Sequence, residues 1–192
     1  MRLSDARVIE VSLAAPARFA DIFDRHIDAI RKFVVRRLGV SRSDDVVSEV
    51  FRAAFERRST FDLTASSALP WLYGIASNLV RRDHRSSARR LATAKRAGGH
   101  GNVVGDPLVD LAERIDARAD LRELSKALMS LSDDEREVLL LVAWEQLSPT
   151  EAAAVLGIAP ETARTRLRRA RQHVRGHLER NEPTTEVATD GH

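Results

Sequence analysis

Apolar residues recur along this chain at steps of three and four, and they predict helix after helix. Between Ala17 and Gly39 the positions Phe19, Ile22, Phe23, Ile27, Ile30, Val34 and Leu38 fall on one helical face. Gly39 suits a helix C-terminus. The pattern restarts over Ser41–Arg57, with Val47, Val50, Phe51, Ala54 and Phe55 inward. Asp44 and Asp45 are expected in its first turn, where the helix dipole favours acids. Ser59–Leu69 reads as a loop. Pro70 then opens a helix through Trp71, Leu72, Ile75, Ala76, Leu79 and Val80. The character changes near Ser86, and the glycine-rich stretch from Arg96 to Pro107 has no period and reads as a flexible linker. Helix resumes near Val109 or Asp116 and runs to Met129. Ser132 with Glu135 forms a capping-box pattern that starts a helix over Asp133–Trp144. Apolar and polar residues never alternate over a strand length, so the expected class is all-α. Two small helical domains, 15–86 and 110–179, are joined by a linker over 87–109, and a polar, disordered tail is expected over 180–192.

The stretch Leu147–Arg175 carries the most information. Ser148 is a good N-cap, Pro149 fits the first helical position, and Glu151 completes a capping box. Leu147 can staple onto Ala152. Gly157 suits a left-handed turn after Leu156, and Ile158 fills the angle between two helices. Pro160 starts the second helix behind Ala159, a weak cap. There Ala163, Leu167, Ala170 and Val174 form an inward stripe. Thr162, Arg164, Thr165, Arg166, Arg168 and Arg169 are left facing outward. Capping, turn glycine, buried stripe and basic face together describe a helix-turn-helix whose second helix enters a major groove. Arginine can grip guanine O6 and N7 there, and threonine can touch a thymine methyl.

Charge sharpens this picture. The chain has 192 residues and a formal net charge of only +3. Its basic residues are nonetheless clustered. Arg81, Arg82, Arg85, Arg89, Arg90, Lys95 and Arg96 form one block, and Arg164, Arg166, Arg168, Arg169, Arg171 and Arg175 another. Two basic blocks suit a protein that touches phosphates at two places, although solvated helix faces show the same pattern. There is no cysteine, which fits a reducing cytoplasm. No apolar run approaches the ~20 residues of a membrane span, and the N-terminus lacks the pattern of a signal peptide.

Four segments in order resemble the sigma-70 family of bacterial transcription initiation factors, in its small extracytoplasmic-function (ECF) type, over residues 17 to 178. They are FADIFDRHIDAIRKFVVRRLG, DDVVSEVFRAAF, PWLYGIASNLVRRDHR and LMSLSDDEREVLLLVAWEQLSPTEAAAVLGIAPETARTRLRRAR. The resemblance implies a subunit that joins core RNA polymerase, recognises a two-part promoter as duplex at −35 and melted strand at −10, and is held by an anti-sigma factor. It implies that Asp45, Ser48 and Glu49 face the polymerase. It assigns the −10 element to the loop from Phe61 through Thr64, Ser66 and Ser67, together with Tyr73, Asn78, Arg81, Arg82 and Arg85. A flipped base needs a pocket and hydrogen bonds to its edge, which the loop hydroxyls could supply. Trp71 is expected mainly in the core. The −35 element falls to Thr162, Arg164, Thr165, Arg166, Arg168 and Arg169.

Other chemistry finds little support. His173 and His177 are four apart, but no acid completes a site, so no metal or other cofactor is expected. No phosphate-binding glycine loop or nucleophile elbow is present, and no enzyme is expected. The rival reading is a two-domain helix-turn-helix regulator that acts without joining the polymerase. It would need a ligand or receiver domain, and the N-terminal half has no strands to build one.

Overall fold

The computed structural model describes residues 3–96 and 119–181. The centre of the expected linker, the restart near Val109 or Asp116, and the tail beyond 181 lie outside the described residues. Among those described, every regular element is helical. The α-helices are α1 (Asp5–Ala14), α2 (Ala20–Leu38), α3 (Val40–Arg57), α4 (Leu69–Arg96), α5 (Ala119–Met129), α6 (Asp133–Ala143), α7 (Pro149–Leu156) and α8 (Pro160–Asn181). Short 3-10 turns occupy Pro16–Phe19 and Arg58–Thr60.

Helix α1 was not foreseen by periodicity. Ser4 caps it by accepting from the Arg7 amide, and Val8 and Ile9 are wholly buried. Ser12 is buried with them and donates to the Ile9 carbonyl at 2.6 Å, which satisfies its hydroxyl without solvent. Helices α2, α3 and α4 pack on one another around Ile22, Ile30, Phe33, Val34, Val50, Ala54, Leu72 and Ala76. Gly39 is the sole residue between α2 and α3, at φ 74°, and its amide closes α2 on the Val35 carbonyl. With α3 starting at Val40, Asp44 and Asp45 stand beyond the first turn, where the dipole fades. Phe23 is 42% exposed despite its place in the apolar pattern, although its ring meets Phe51 edge-on. Helix α4 continues to Arg96, ten residues past the expected domain edge at 86.

In the C-terminal half, α5, α6 and α7 pack around the inward stripe of α8. Ala163, Leu167 and Ala170 are buried as the spacing requires. The two halves are in contact. Leu141, Leu147, Ala152 and Val155 belong to the same apolar cluster as α2–α4. Helix α7 lies along α4, and a Cβ on Gly74 would make ordinary van der Waals contact with the Val155 carbonyl at 3.6 Å.

Gly157 ends α7 at φ 67°, ψ 36°, in the left-handed region, and a Cβ there would meet nothing within 4 Å. Gly157→Ala therefore adds backbone strain without a clash. It is expected to cost about 1–2 kcal/mol, read as a lower urea midpoint. An unchanged midpoint would contradict the conformational reading of this turn.

Candidate nucleic-acid interface

The helix-turn-helix is built as its spacing requires. The Ser148 amide donates to Glu151 Oε2 at 2.8 Å, and the Glu151 amide returns a bond to Ser148 Oγ at 3.2 Å. The Ser148 hydroxyl and amide hold the Glu151 carboxyl below its usual range. Beyond the Gly157 turn, Arg164, Arg168, Arg171 and Arg175 line a groove with Pro149 and Gln172. Arg171 and Arg175 were in the basic block but absent from the candidate readers, although the steps of four, three and four already aligned them. Thr162, Arg168 and Arg169 are exposed and Thr165 is half-buried. Arg164 is exposed and pairs with Glu161 at 2.9 Å. Arg166 departs from this face. It turns toward α6 and pairs with Asp134 at 2.6 Å, lining a cleft with Arg36, Arg37, Arg81 and His84.

The second candidate surface is the loop before α4 and the polar face of that helix. Asn78, Arg82 and Arg85 are exposed along α4, and Arg81 donates to Asn78 Oδ1 at 3.2 Å. Two aromatic residues assigned to the −10 surface are buried instead. Phe61, the start of the loop, is 7% exposed, its ring edge-on to Trp71 at 5.2 Å. Tyr73 is 3% exposed and is tilted against Phe33. The loop hydroxyls also differ in availability. Thr64 spends its own on Asp62 at 2.7 Å, and Ser67 accepts from the Leu69 amide at 3.1 Å at the start of α4. Ser66 remains exposed. The Thr64 hydroxyl and amide hold the Asp62 carboxyl below the usual carboxylate range.

On α3, Asp45 and Ser48 are exposed and Glu49 is half-exposed, all opposite the buried Val47, Val50, Phe51 and Ala54. Arg52 joins them, bridging Glu49 and Glu56. Its hydrogen bond lowers the Glu49 carboxyl below its ordinary value. At the other end of the chain His173 bonds Ser130 at 2.9 Å and His177 faces Glu123 at 3.5 Å, so each imidazole has a protein partner.

One further cluster joins the two halves, and no sequence pattern announced it. Glu145, just after α6, has a side chain only 4% exposed. It receives Arg36 Nη1 at 3.1 Å, Arg37 Nη1 at 3.5 Å and the Tyr73 hydroxyl at 3.1 Å. Arg37 also faces Glu137 at 3.4 Å, donates to the Phe33 carbonyl, and lies over the Phe33 ring. Burial, then the Glu145 charge and hydrogen bond, push the Tyr73 hydroxyl far above its ordinary range, so it stays a donor. Gln146, the next residue, has φ 56°, a strained value that places Glu145 and Leu147 together on the inner side.

Known proteins match both halves. Residues 22–90 match the family described as Sigma-70 region 2, and residues 121–174 match Sigma-70, region 4. The ECF RNA polymerase sigma factor SigW of Bacillus subtilis (strain 168) is 30% identical over 178 residues, covering 90% of this chain and 95% of its own length. The chain belongs to the ECF sigma factors. As a sigma factor it binds core RNA polymerase and directs promoter-specific initiation. The solved structure of CnrH in complex with the cytosolic domain of CnrY is 25% identical, with a TM-score of 0.63 over 92% of this chain and 98% of that one. A sigma factor RpoE from Bartonella quintana, solved with the anti-sigma factor NepR, shares the fold at 24% identity and TM-score 0.61, over 85% of this chain and 98% of that one. No helix among the described residues is long and apolar enough to cross a membrane.

In this sigma factor the Glu145 cluster can be tested directly. Glu145→Ala would take from Arg36, Arg37 and the Tyr73 hydroxyl their shared acceptor, leaving Arg37 with Glu137 as its one acidic partner among the described residues, at a cost of about 3 kcal/mol to the closed arrangement. Separation of the halves relieves that cost by hydrating both arginines. Small-angle scattering should show a radius of gyration rising clearly above the roughly 16 Å expected of a compact chain this long. An unchanged radius in a folded variant would show that Glu145 does not hold the halves together.

Proposed function

We propose that this ECF sigma factor grips its promoter at two points and must open to do so. The carrying observation is the outward arginine stripe of α8, aimed by the Ser148–Glu151 capping box and the Gly157 turn. That stripe, with Thr162, Thr165 and Arg169, reads the −35 duplex. Ser66 in the loop and Asn78, Arg81, Arg82 and Arg85 on α4 take the melted −10 strand, bases in the loop and phosphates along the helix. Asp45, Ser48 and Glu49, with Arg52, form the patch that meets core polymerase.

The closed arrangement supports an inactive state. Val155 to Gly157 of α7 face Trp71, Gly74 and Asn78 across a shared cavity, so the reader of one element leans on the reader of the other. Two elements 25 nucleotides apart span roughly 80 Å of duplex at about 3.4 Å per base pair. A compact chain of this size cannot reach both. Both solved relatives are bound by a second protein. An anti-sigma factor that holds this chain closed would silence it by the same geometry. The protein works in the cytoplasm, where its polymerase is.

Purified protein and core polymerase should direct specific initiation in vitro from a two-element promoter. Failure to bind core or to select a start site would remove this reading. Arg164→Ala should weaken discrimination at −35 by about 1–3 kcal/mol while leaving strand opening intact. Arg81→Ala should slow open-complex formation and leave duplex binding near normal. Equal loss of duplex binding by both, with opening unaffected, would contradict the division of labour.

A further inference from the structure

We propose that Asp5 is a positioning residue for −10 recognition. From the N-terminal helix it fixes the loop that receives the flipped base, without touching DNA. The proposal rests on the assignment of loop 61–68 to the −10 element.

Asp5 is nearly buried, with a side chain 10% exposed. Its Oδ1 receives Arg25 Nη1 at 2.8 Å. Its Oδ2 receives His26 Nε2 at 2.8 Å and the Ala68 amide at 2.9 Å, with Ser67 Oγ at 3.5 Å. One carboxylate thus ties α1 and α2 to the last two residues of the loop. Ser67 Oγ in turn accepts from Leu69, the first residue of α4. Burial alone would raise the Asp5 carboxyl. The Ala68 amide, Arg25 and His26 outweigh it and hold the group below the usual carboxylate range.

The other end of the loop is fixed independently. Asp62 Oδ1 accepts from both the amide and the hydroxyl of Thr64. Ala65 packs on the core and Ala68 is fully buried. Between the two anchors Leu63, Thr64 and Ser66 are exposed alongside Asp62, and Ala65 is half-buried. A base that enters meets a loop whose ordering cost is already met, which is what selectivity for one base edge requires. Helix α1 does not need this carboxylate in order to dock, because Val8 and Ile9 already bury its apolar face. The bonds to Ala68 and Ser67 serve the loop.

The test uses the full chain with core polymerase. Open-complex formation is measured on promoters that carry each of the four bases at every −10 position, alongside core affinity, −35 duplex affinity and the thermal midpoint. Asp5→Ala should reduce base discrimination at one −10 position by about tenfold, the size of one good base contact. Core and −35 affinities should hold, and hydrogen exchange at the Ala68 amide should accelerate. Asp5→Asn retains an acceptor for Ala68 and should recover part of the discrimination. It also serves if the alanine variant fails to fold. Unchanged discrimination in both Asp5 variants, while Ser66→Ala alters it, would overturn the role of Asp5 and leave the loop assignment standing. If Ser66→Ala and Thr64→Ala alter nothing either, the loop assignment falls and the proposal with it. Parallel losses of core, −35 and −10 function would reduce Asp5 to a general stabiliser and equally overturn it.

Discussion

The buried carboxylate of Glu145, shared by Arg36, Arg37 and Tyr73, governs how this molecule is put together. It lies between two helical units that each have apolar packing of their own. A buried ion pair is a poor source of net stability, because desolvation consumes most of the Coulombic gain. It is a strong source of specificity, because any arrangement that separates the partners while keeping them dry is heavily penalised. The observed arrangement matches the cluster and closes it, and the proposed open state is the one that puts every member in water. Arg37 is held on several sides at once, by Glu145, Glu137, the Phe33 carbonyl and the Phe33 ring.

The apolar contacts follow from that placement. With Glu145 drawn inward and Gln146 in the left-handed region, Leu147 is delivered beside Ala152 and Val155 onto the α2–α4 core. At Gly74 the two helices are in ordinary van der Waals reach, a Cβ there standing 3.6 Å from the Val155 carbonyl. Arg166, on the proposed −35 helix, pairs with Asp134 inside the C-terminal half and lines the same cleft as Arg81, on the proposed −10 helix.

Much of this fold was legible in the sequence. The three- and four-residue steps from Phe19 to Val80 and from Ala163 to Val174 correspond to buried stripes, and Ser132, Ser148 and Gly157 do what their residue types suggest. What escaped has a common physical origin. Helix α1 buries Asp5 and Ser12 along with Val8 and Ile9, so its inner face is half polar and its periodicity is blurred. Glu145 and Asp5 are acids, and a sequence alone does not distinguish an acid that collects distant arginines from one on the surface. The family resemblance assigns Tyr73 to the −10 element, and its hydroxyl's partner lies 72 residues further along the chain. Arg166 sat in the right block, but which side of the helix faced α6 depended on tertiary packing. The candidate readers found exposed, Arg164, Arg168, Arg82 and Arg85, are those whose placement is set by local helical geometry. Local pattern placed the basic faces, and long-range electrostatics decided how the two halves pack.

The two kinds of charge contact answer differently to salt, and this bears on how the protein chooses between its states. Arginines on phosphate release condensed counterions, so affinity for duplex falls steeply as salt rises. A pair as enclosed as Arg37 with Glu145 is screened far less, since mobile ions cannot enter between its members. Raising ionic strength therefore weakens the open, promoter-bound state while leaving the closed state nearly untouched. The helix-turn-helix that looked self-sufficient is one arm of this balance. Its hold on DNA has to exceed the matching of Glu145 with Arg36, Arg37 and Tyr73. On the proposed reading core polymerase meets α3 on the side opposite the buried Val47 and Phe51, and so adds to the open state without competing for the cluster. On that reading the cost of parting the two halves is offset on the polymerase, where contacts form at both ends, and not by promoter DNA alone.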